Sequence, residues 1–471
     1  MPRETASTAQ YTKDLFQDSL LTGIPQIVQT RSLGRKILKS TILACCIIGF
    51  VYQTTEFMKI FWSYPTVLDI DVEYPEIIES PAITYCNLNG IKRNSFCEEY
   101  PDNCTSPQNI TAFCDAFPDV CRKQGIENLK YPKDEAFNFE EIATIDDLKN
   151  LGHSSEDILI YCRKMHKETH EFVECNIQDH IHMPMPDGNT GYRNCYILFS
   201  VIRSTTLKQN TLPVPKKKDA LFHMVFEMEP GEYFRPDRQV GAIIAIHSPN
   251  TIINPFYDGF VIKPGNIYSV HLKVVEEKLL PFPYETQCKD YQSEWKKRNG
   301  KGPLSQAMCL AECVYNVSMK LCNCVIPNIM YYHEDRICSA SEMDCFDFNI
   351  SQCYTVCQQP CQFTDYEYDV QERKLENNAA RTVEELYSIE TNTDHLAIVL
   401  IFLKRPEIII YSHRPQYEDI EVFSFMGGYV GMWLGVSLVA VFDFLESVTL
   451  IICYWIRKRI SIKKDLKIEL G

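Results

Sequence analysis

The chain has 471 residues, a formal net charge of −15 and 21 cysteines. That length ordinarily holds two to four domains. The cysteine count is too high for an ordinary cytosolic protein, and nothing in so acidic a chain points to nucleic acid.

Residues 1–36 are polar and lack the continuous apolar core of a secretory signal. Within them Thr22-Gly23, followed by Pro25, predicts a turn before a short apolar run. The first candidate membrane span covers 37–63, with its apolar centre at Ile42–Tyr52. A second covers 420–456. Arg31, Arg35, Lys36 and Lys39 precede the first span, and Arg457, Lys458, Arg459, Lys463 and Lys464 follow the last. Both flanks are basic, so both termini are expected in the cytoplasm, the tail being 457–471. Residues 64–419 are then extracellular.

The cysteines sort the same way. Cys45, Cys46 and Cys453 lie in the spans and the other 18 in the loop. An even number in an oxidising compartment predicts a disulfide framework. Sequons at Asn103, Asn109, Asn316 and Asn349 all fall in the loop. The tails 1–39 and 457–471 together carry +7, leaving −22 for the remainder. That surplus would gather cations at a pore mouth, and it serves solubility equally well.

Along the loop, strands are expected near Val67–Val72, Ala82–Tyr85, Tyr196–Ile202, Met224–Met228, Gly241–His247 and Tyr268–Val275. Two more are expected at Leu396–Leu403 and Ile408–Tyr411. Cys97, Cys104, Cys114 and Cys121 mark a locally stapled insertion whose pairing is open. His166 and His170 are spaced for one helix face, but Lys167 stands where a metalloprotease pattern needs Glu. With His180 and His182 they are expected to be plain surface histidines. Glu232 is also read as a surface acid. Nine cysteines fall between Cys309 and Cys361, where outside a cell disulfides are expected over zinc. Runs of strands with few helices predict an α+β fold for this loop. No catalytic constellation and no cofactor site stand out.

The stretch Glu421–Trp455 is the densest in information. A straight helix over it would span about 50 Å, against a hydrocarbon core of about 30 Å. Gly427, Gly428, Gly431 and Gly435 crowd its first half, and Asp443 and Glu446 sit in apolar sequence after them. A membrane tolerates buried acids and broken backbone where they line a polar path, and a plain anchor needs neither. A pore-lining segment interrupted at Gly435-Val436-Ser437 is expected.

The whole arrangement resembles the degenerin/epithelial sodium channel family, which includes acid-sensing and peptide-gated channels. The likeness rests on GGYVGMWLGVS, YCNLN at Tyr85–Asn89, NCYILF at Asn194–Phe199, LPFPY at Leu280–Tyr284, HSP…PG from His247 to Gly265, and the cysteine block. It implies a homo- or heterotrimer in the plasma membrane, conducting Na⁺ and blocked by amiloride. It implies gating by an extracellular ligand such as a peptide, or by mechanical force. It implies a filter at Gly435, Val436 and Ser437, pore acids at Asp443 and Glu446, an amiloride position at Gly431 and gating positions at Thr22, Gly23 and Ser424. It also implies the pairs Cys86–Cys195, Cys162–Cys175, Cys288–Cys361, Cys309–Cys357, Cys313–Cys353, Cys322–Cys345 and Cys324–Cys338. The last two are expected to brace a helical hairpin.

Departures from the family are Thr22 for its usual His, Asp443 for its usual Glu, Lys39 for a frequent Trp, and no recognisable acidic pocket; a proton-gated member of the same family is the alternative that the missing pocket disfavours. Two other classes share features with the chain. An ATP-gated trimeric channel has the two-span plan but lacks this filter. A non-conducting surface receptor would bind without current.

Overall fold

The fold is described from a computed structural model. It describes Ile27 and residues 30–456, except 125–128, 177–179, 189–190, 203–210, 216–218, 328, 334, 339, 346–347, 376–392, 438, 441, 443–444, 447 and 454. The chain divides into two compact units. One holds residues up to Val67, Pro283–Glu285 and those from Pro415 onward. The other holds Leu68–Phe282 and Thr286–Arg414.

The helices that matter below are α1 (Leu33–Trp62), α2 (Ile145–Leu151), α3 (Tyr291–Lys297), α4 (Gln306–Cys322), α5 (Ser351–Val356) and α6 (Asp419–Leu434). The strands are β1 (Thr66–Glu73), β2 (Ala82–Asn87), β3 (Leu159–Met165), β4 (Phe172–Glu174), β5 (Ile181–Pro186), β6 (Tyr192–Leu198), β7 (Ala220–Glu227), β8 (Ala242–His247), β9 (Phe260–Ile262), β10 (Asn266–Lys278), β11 (Gln362–Lys374) and β12 (Leu396–Pro415).

The larger unit is α+β. One sheet runs β11-β10-β12-β7-β3-β4, with β1 beside β12; a second runs β9-β8-β2-β6-β5. Their inner faces share one core, in which the Tyr85 and Phe226 ring centroids lie 5.5 Å apart. β2, AITYCN, is buried at every position, so its apolar residues do not alternate with exposed polar ones, and its two polar residues, Thr84 and Asn87, are hydrogen-bonded. Cys86 and Cys195 face each other in register across β2 and β6 and form a disulfide.

The two expected strands near the C-terminal end of the loop are one strand, β12. The polar stretch Lys404–Glu407 is a bulge within it. Register against β10 jumps there from Leu272 opposite Leu403 to Val274 opposite Ile408. The HKETH stretch is the turn of the β3–β4 hairpin, not a helix face. His170 takes a left-handed φ of 55° there, and the Cys162–Cys175 bridge ties the strands together.

The cysteine block forms a nested ladder: Cys288–Cys361, Cys309–Cys357, Cys313–Cys353, Cys322–Cys345 and Cys324–Cys338. Cys309 and Cys313 lie four apart on α4, while Cys353 and Cys357 lie four apart on or at the end of α5. That spacing puts each pair on one helix face, so two bridges clamp the two helices. The helical hairpin is therefore braced by these middle pairs, not by the innermost two. The latter close a segment with a β-bridge between Val325 and Ile337. Cys97–Cys104 and Cys114–Cys121 are short local staples.

Ser318 sits in α4 with no exposed surface. Its hydroxyl donates to the Cys324 carbonyl at 2.7 Å and accepts from the Ile326 N–H at 2.9 Å. Asn316, two residues earlier, is exposed.

Opening Cys288–Cys361 by a Cys288→Ala/Cys361→Ala change should cost about 4 kcal/mol, the loop-entropy scale for a closure of this length. The check is the melting temperature of the purified protein, with non-reducing peptide mapping of the remaining bridges. An unchanged melting temperature would show that the bridge constrains nothing.

Candidate functional site

Among the described residues one helix is long and apolar enough to cross a membrane: α1, 30 residues long. It begins at Leu33, a few residues before the expected span. The second expected span is not one helix. α6 opens with a capping box in which Glu421 Oε2 accepts the Glu418 N–H at 3.1 Å. It runs sixteen residues and stops at Gly435, whose φ of 61° is left-handed. Glycine is the residue that adopts this conformation without a Cβ penalty, so the sequence itself ends the helix here. Gly435 N–H makes the last bond of the α6 ladder, to the Gly431 carbonyl at 3.1 Å, and Gly435, Val436 and Ser437 are themselves nonhelical. Helical backbone resumes after them, with Ser437 Oγ accepting the Ala440 N–H at 3.2 Å in the manner of an N-cap.

α6 packs on α1 through aromatic rings. Phe57, nearly buried, meets Phe425 at 5.0 Å, Tyr417 at 5.5 Å and Tyr429 at 6.1 Å. One turn from the break, Trp433 donates its indole N–H to Gln53 Oε1 at 2.6 Å. A Cβ at Gly49 would lie 2.6 Å from the Trp433 ring. Gly49, Gln53, Phe57 and Trp433 thus fix α6 on α1 just before the break. Sequence reading missed these residues. The available signal was a lone glycine in an apolar helix pattern, which marks a close approach.

The opposite face of α6 is open. A Cβ at Gly427, Gly428 or Gly431 would meet nothing within 4 Å. Ile420, Phe423 and Met432 are exposed there. Ser424, Gly428, Tyr429 and Met432 line a cleft of about 630 Å³. The Ser424 hydroxyl donates to the Ile420 carbonyl at 3.0 Å, so it is satisfied within its own helix. Glu446 is exposed on the resumed helix. Asp443, Thr22 and Gly23 lie outside the described residues. In the same unit Tyr284, from the LPFPY stretch, meets Tyr64 edge-on at 5.6 Å.

In the larger unit the resemblance motifs have structural work. Asn87 Oδ1 accepts the Asn89 N–H and the Tyr233 hydroxyl; Asn89 Nδ2 donates to the Ile91 and Glu232 carbonyls. Glu232 is buried rather than on the surface, with its carboxylate accepting from the Asn94 side chain at 2.6 Å and backbone at 3.1 Å. Asn103, Asn109 and Asn349 are exposed, as glycan acceptors need to be. His182 is not a plain surface histidine: it lies in β5, half-buried, with Nε2 3.0 Å from Asn194 Oδ1, and burial holds its imidazole below its usual range. Among the described residues His166 and His170 join no metal-binding cluster.

His247 of the HSP stretch is buried, and its ring is fully bonded. Nδ1 donates to the Ser248 carbonyl at 2.9 Å, which leaves Nε2 to accept the Thr84 hydroxyl at 2.7 Å. Burial pushes this imidazole down to about 4. The folded state therefore refuses a proton that the unfolded chain accepts below about 6.5. The stability this gives is complete above that value and is lost as pH falls toward 4, by about 3 kcal/mol. Melting temperature against pH should fall through this window, and more gently in His247→Gln. Equal pH slopes would remove His247 as the cause.

A family model described as "Amiloride-sensitive sodium channel" matches residues 15–447. The chain belongs to the amiloride-sensitive sodium channel family, a family of ion channels rather than enzymes. Among its relatives is an FMRFamide-activated amiloride-sensitive sodium channel from Cornu aspersum, 20% identical over 92% of this chain and 82% of the relative. A bile acid-sensitive ion channel from Rattus norvegicus is 23% identical, covering 90% of this chain and 84% of that one. Acid-sensing ion channel 2 from Danio rerio is 22% identical, covering 86% and 76%.

Proposed function

We propose that the chain is the subunit of a trimeric, sodium-selective, amiloride-blocked channel of the plasma membrane, opened by an extracellular ligand. α1 and the broken segment from α6 to Ile456 are the two spans, with both termini cytoplasmic. The observation that carries this reading is the helix break at Gly435-Val436-Ser437. Three copies around an axis would present a ring of backbone oxygens to a partly dehydrated Na⁺. Nonhelical backbone at membrane depth is tolerated where it lines such a path. Asp443 and Glu446 would add acidic rings beyond it, and Gly431 would leave room for amiloride before it. The open glycine face of α6 is the face that partner copies would cover, with lipid on the rest.

An amidated peptide is the first ligand class to try, because a relative is named for activation by one. The test is expression of this chain alone, with acid, amidated peptides and stretch screened for amiloride-sensitive current. A Na⁺-selective reversal potential is expected. No such current under any stimulus, from protein verified at the surface, would overturn the reading.

A further inference from the structure

The larger unit contains a cavity of about 490 Å³, within the usual range for small-molecule sites. Its floor is β11, whose Phe363, Tyr366 and Tyr368 are in the lining. The start of α4, α3 and the chain after β8 form the walls. Tyr366 is anchored by donating its hydroxyl to the Glu79 carbonyl at 2.9 Å, and Tyr368 by donating to the Asp258 carbonyl at 2.8 Å. The aromatic wall is therefore held in place before any ligand arrives.

The charge of the lining is one-sided. Asp258 and Asp365 line the cavity, and no lysine or arginine does among the described residues. Both residues are exposed, and Asp365 Oδ1 accepts the Tyr366 N–H at 2.9 Å. The remaining polar groups are neutral, carboxamides such as Gln292 and Gln362 among them. His247, also in the lining, has both ring nitrogens bonded.

We propose that this cavity binds a small organic cation, a protonated amine or guanidinium carried on an apolar body. An anion here would face two carboxylates with no counter-charge. A cation would gain charge-assisted hydrogen bonds from Asp258 and Asp365 and a π contact with Phe363, which is only half-buried. The apolar body lies against Ile246 and Leu304. The inference goes beyond conduction, because binding is read without current and a silent channel leaves it standing.

The test uses the full chain in lipid nanodiscs and three probes of one shape: 2-phenylethylamine, neutral 2-phenylethanol and anionic 3-phenylpropionate. Saturable binding of the amine is expected by titration calorimetry, with the alcohol and the acid much weaker. Asp258→Asn and Asp365→Asn should each weaken the amine about tenfold, the scale of one charge-assisted contact. Asp365→Lys should abolish amine binding and admit the phenylpropionate. Both positions are exposed, so these variants leave the core intact; unchanged 2-phenylethanol binding and melting temperature check this. Equal affinity for amine and alcohol overturns the proposal. So does amine binding that the double Asp258→Asn/Asp365→Asn variant leaves unmoved, which would place the amine elsewhere, the pore included.

Discussion

Cells expressing Ser424→Phe should carry a standing amiloride-sensitive current that wild-type cells lack. Ser424 is exposed on α6 and lines the cleft of about 630 Å³ there. Its hydroxyl bonds only its own helix at Ile420, so losing that bond costs little. In the proposed trimer the penalty would arise where three copies converge on an axis. A bulky ring would then clash in the closed arrangement and be accommodated in the open one. A differential of about 3 kcal/mol shifts such an equilibrium over 100-fold. Holding currents at matched surface levels measure it. Two silent cell lines, with the variant still opening to its agonist, would remove Ser424 from the gate.

Ser437→Leu should abolish current or admit K⁺. Two effects add at this residue, and they can be separated. The serine hydroxyl accepts from Ala440 and starts the resumed helix, so any substitution that removes it costs about 1 kcal/mol of cap. Leucine also adds bulk at the narrowest proposed ring. Ser437→Ala isolates the cap and should reduce current modestly with selectivity kept. Ser437→Leu should change the Na⁺/K⁺ reversal potential or silence the channel. Unchanged reversal potentials in both variants would end the assignment of the filter. Asp443→Asn should lower conductance. Glu232→Gln is a poor control for it, since Glu232 is buried and bonded to Asn94.

Some of this was legible in the sequence for physical reasons. α1 is a long apolar run, and Gly435 ends α6 because a left-handed turn needs no Cβ there. The α+β character showed because strand runs dominate the loop. Other features depend on residues far apart in sequence. Lys404–Glu407 looked like a loop because local polarity cannot distinguish a bulge from a chain break; β10 settles it by pairing on both sides. Arg193 is buried although charged, because Asp187, at 2.9 Å, and Glu140, at 3.6 Å, come to it from different elements. The interlock of Gly49 with Trp433 joins positions nearly four hundred residues apart, and neither helix alone declares it. Glu232 reads as a surface acid because charge alone favours the surface; the Asn94 side chain and backbone N–H, distant in sequence, donate to its carboxylate and let it be buried.

The burial of Ser318 has a consequence for the chain's maturation. A glycosyltransferase must reach both the amide of Asn316 and the hydroxyl two residues on. In the finished fold that hydroxyl is inside α4's packing and already bonded twice. In the proposed topology, modification and folding would compete for the same side chain, and whichever is faster in the secretory lumen would decide the outcome. Glycan occupancy at Asn316 would then be a clock for closure of the ladder. Conditions that slow oxidation of Cys313–Cys353 and Cys324–Cys338 lengthen the interval and raise occupancy there, while the exposed Asn103 and Asn349 keep no such time.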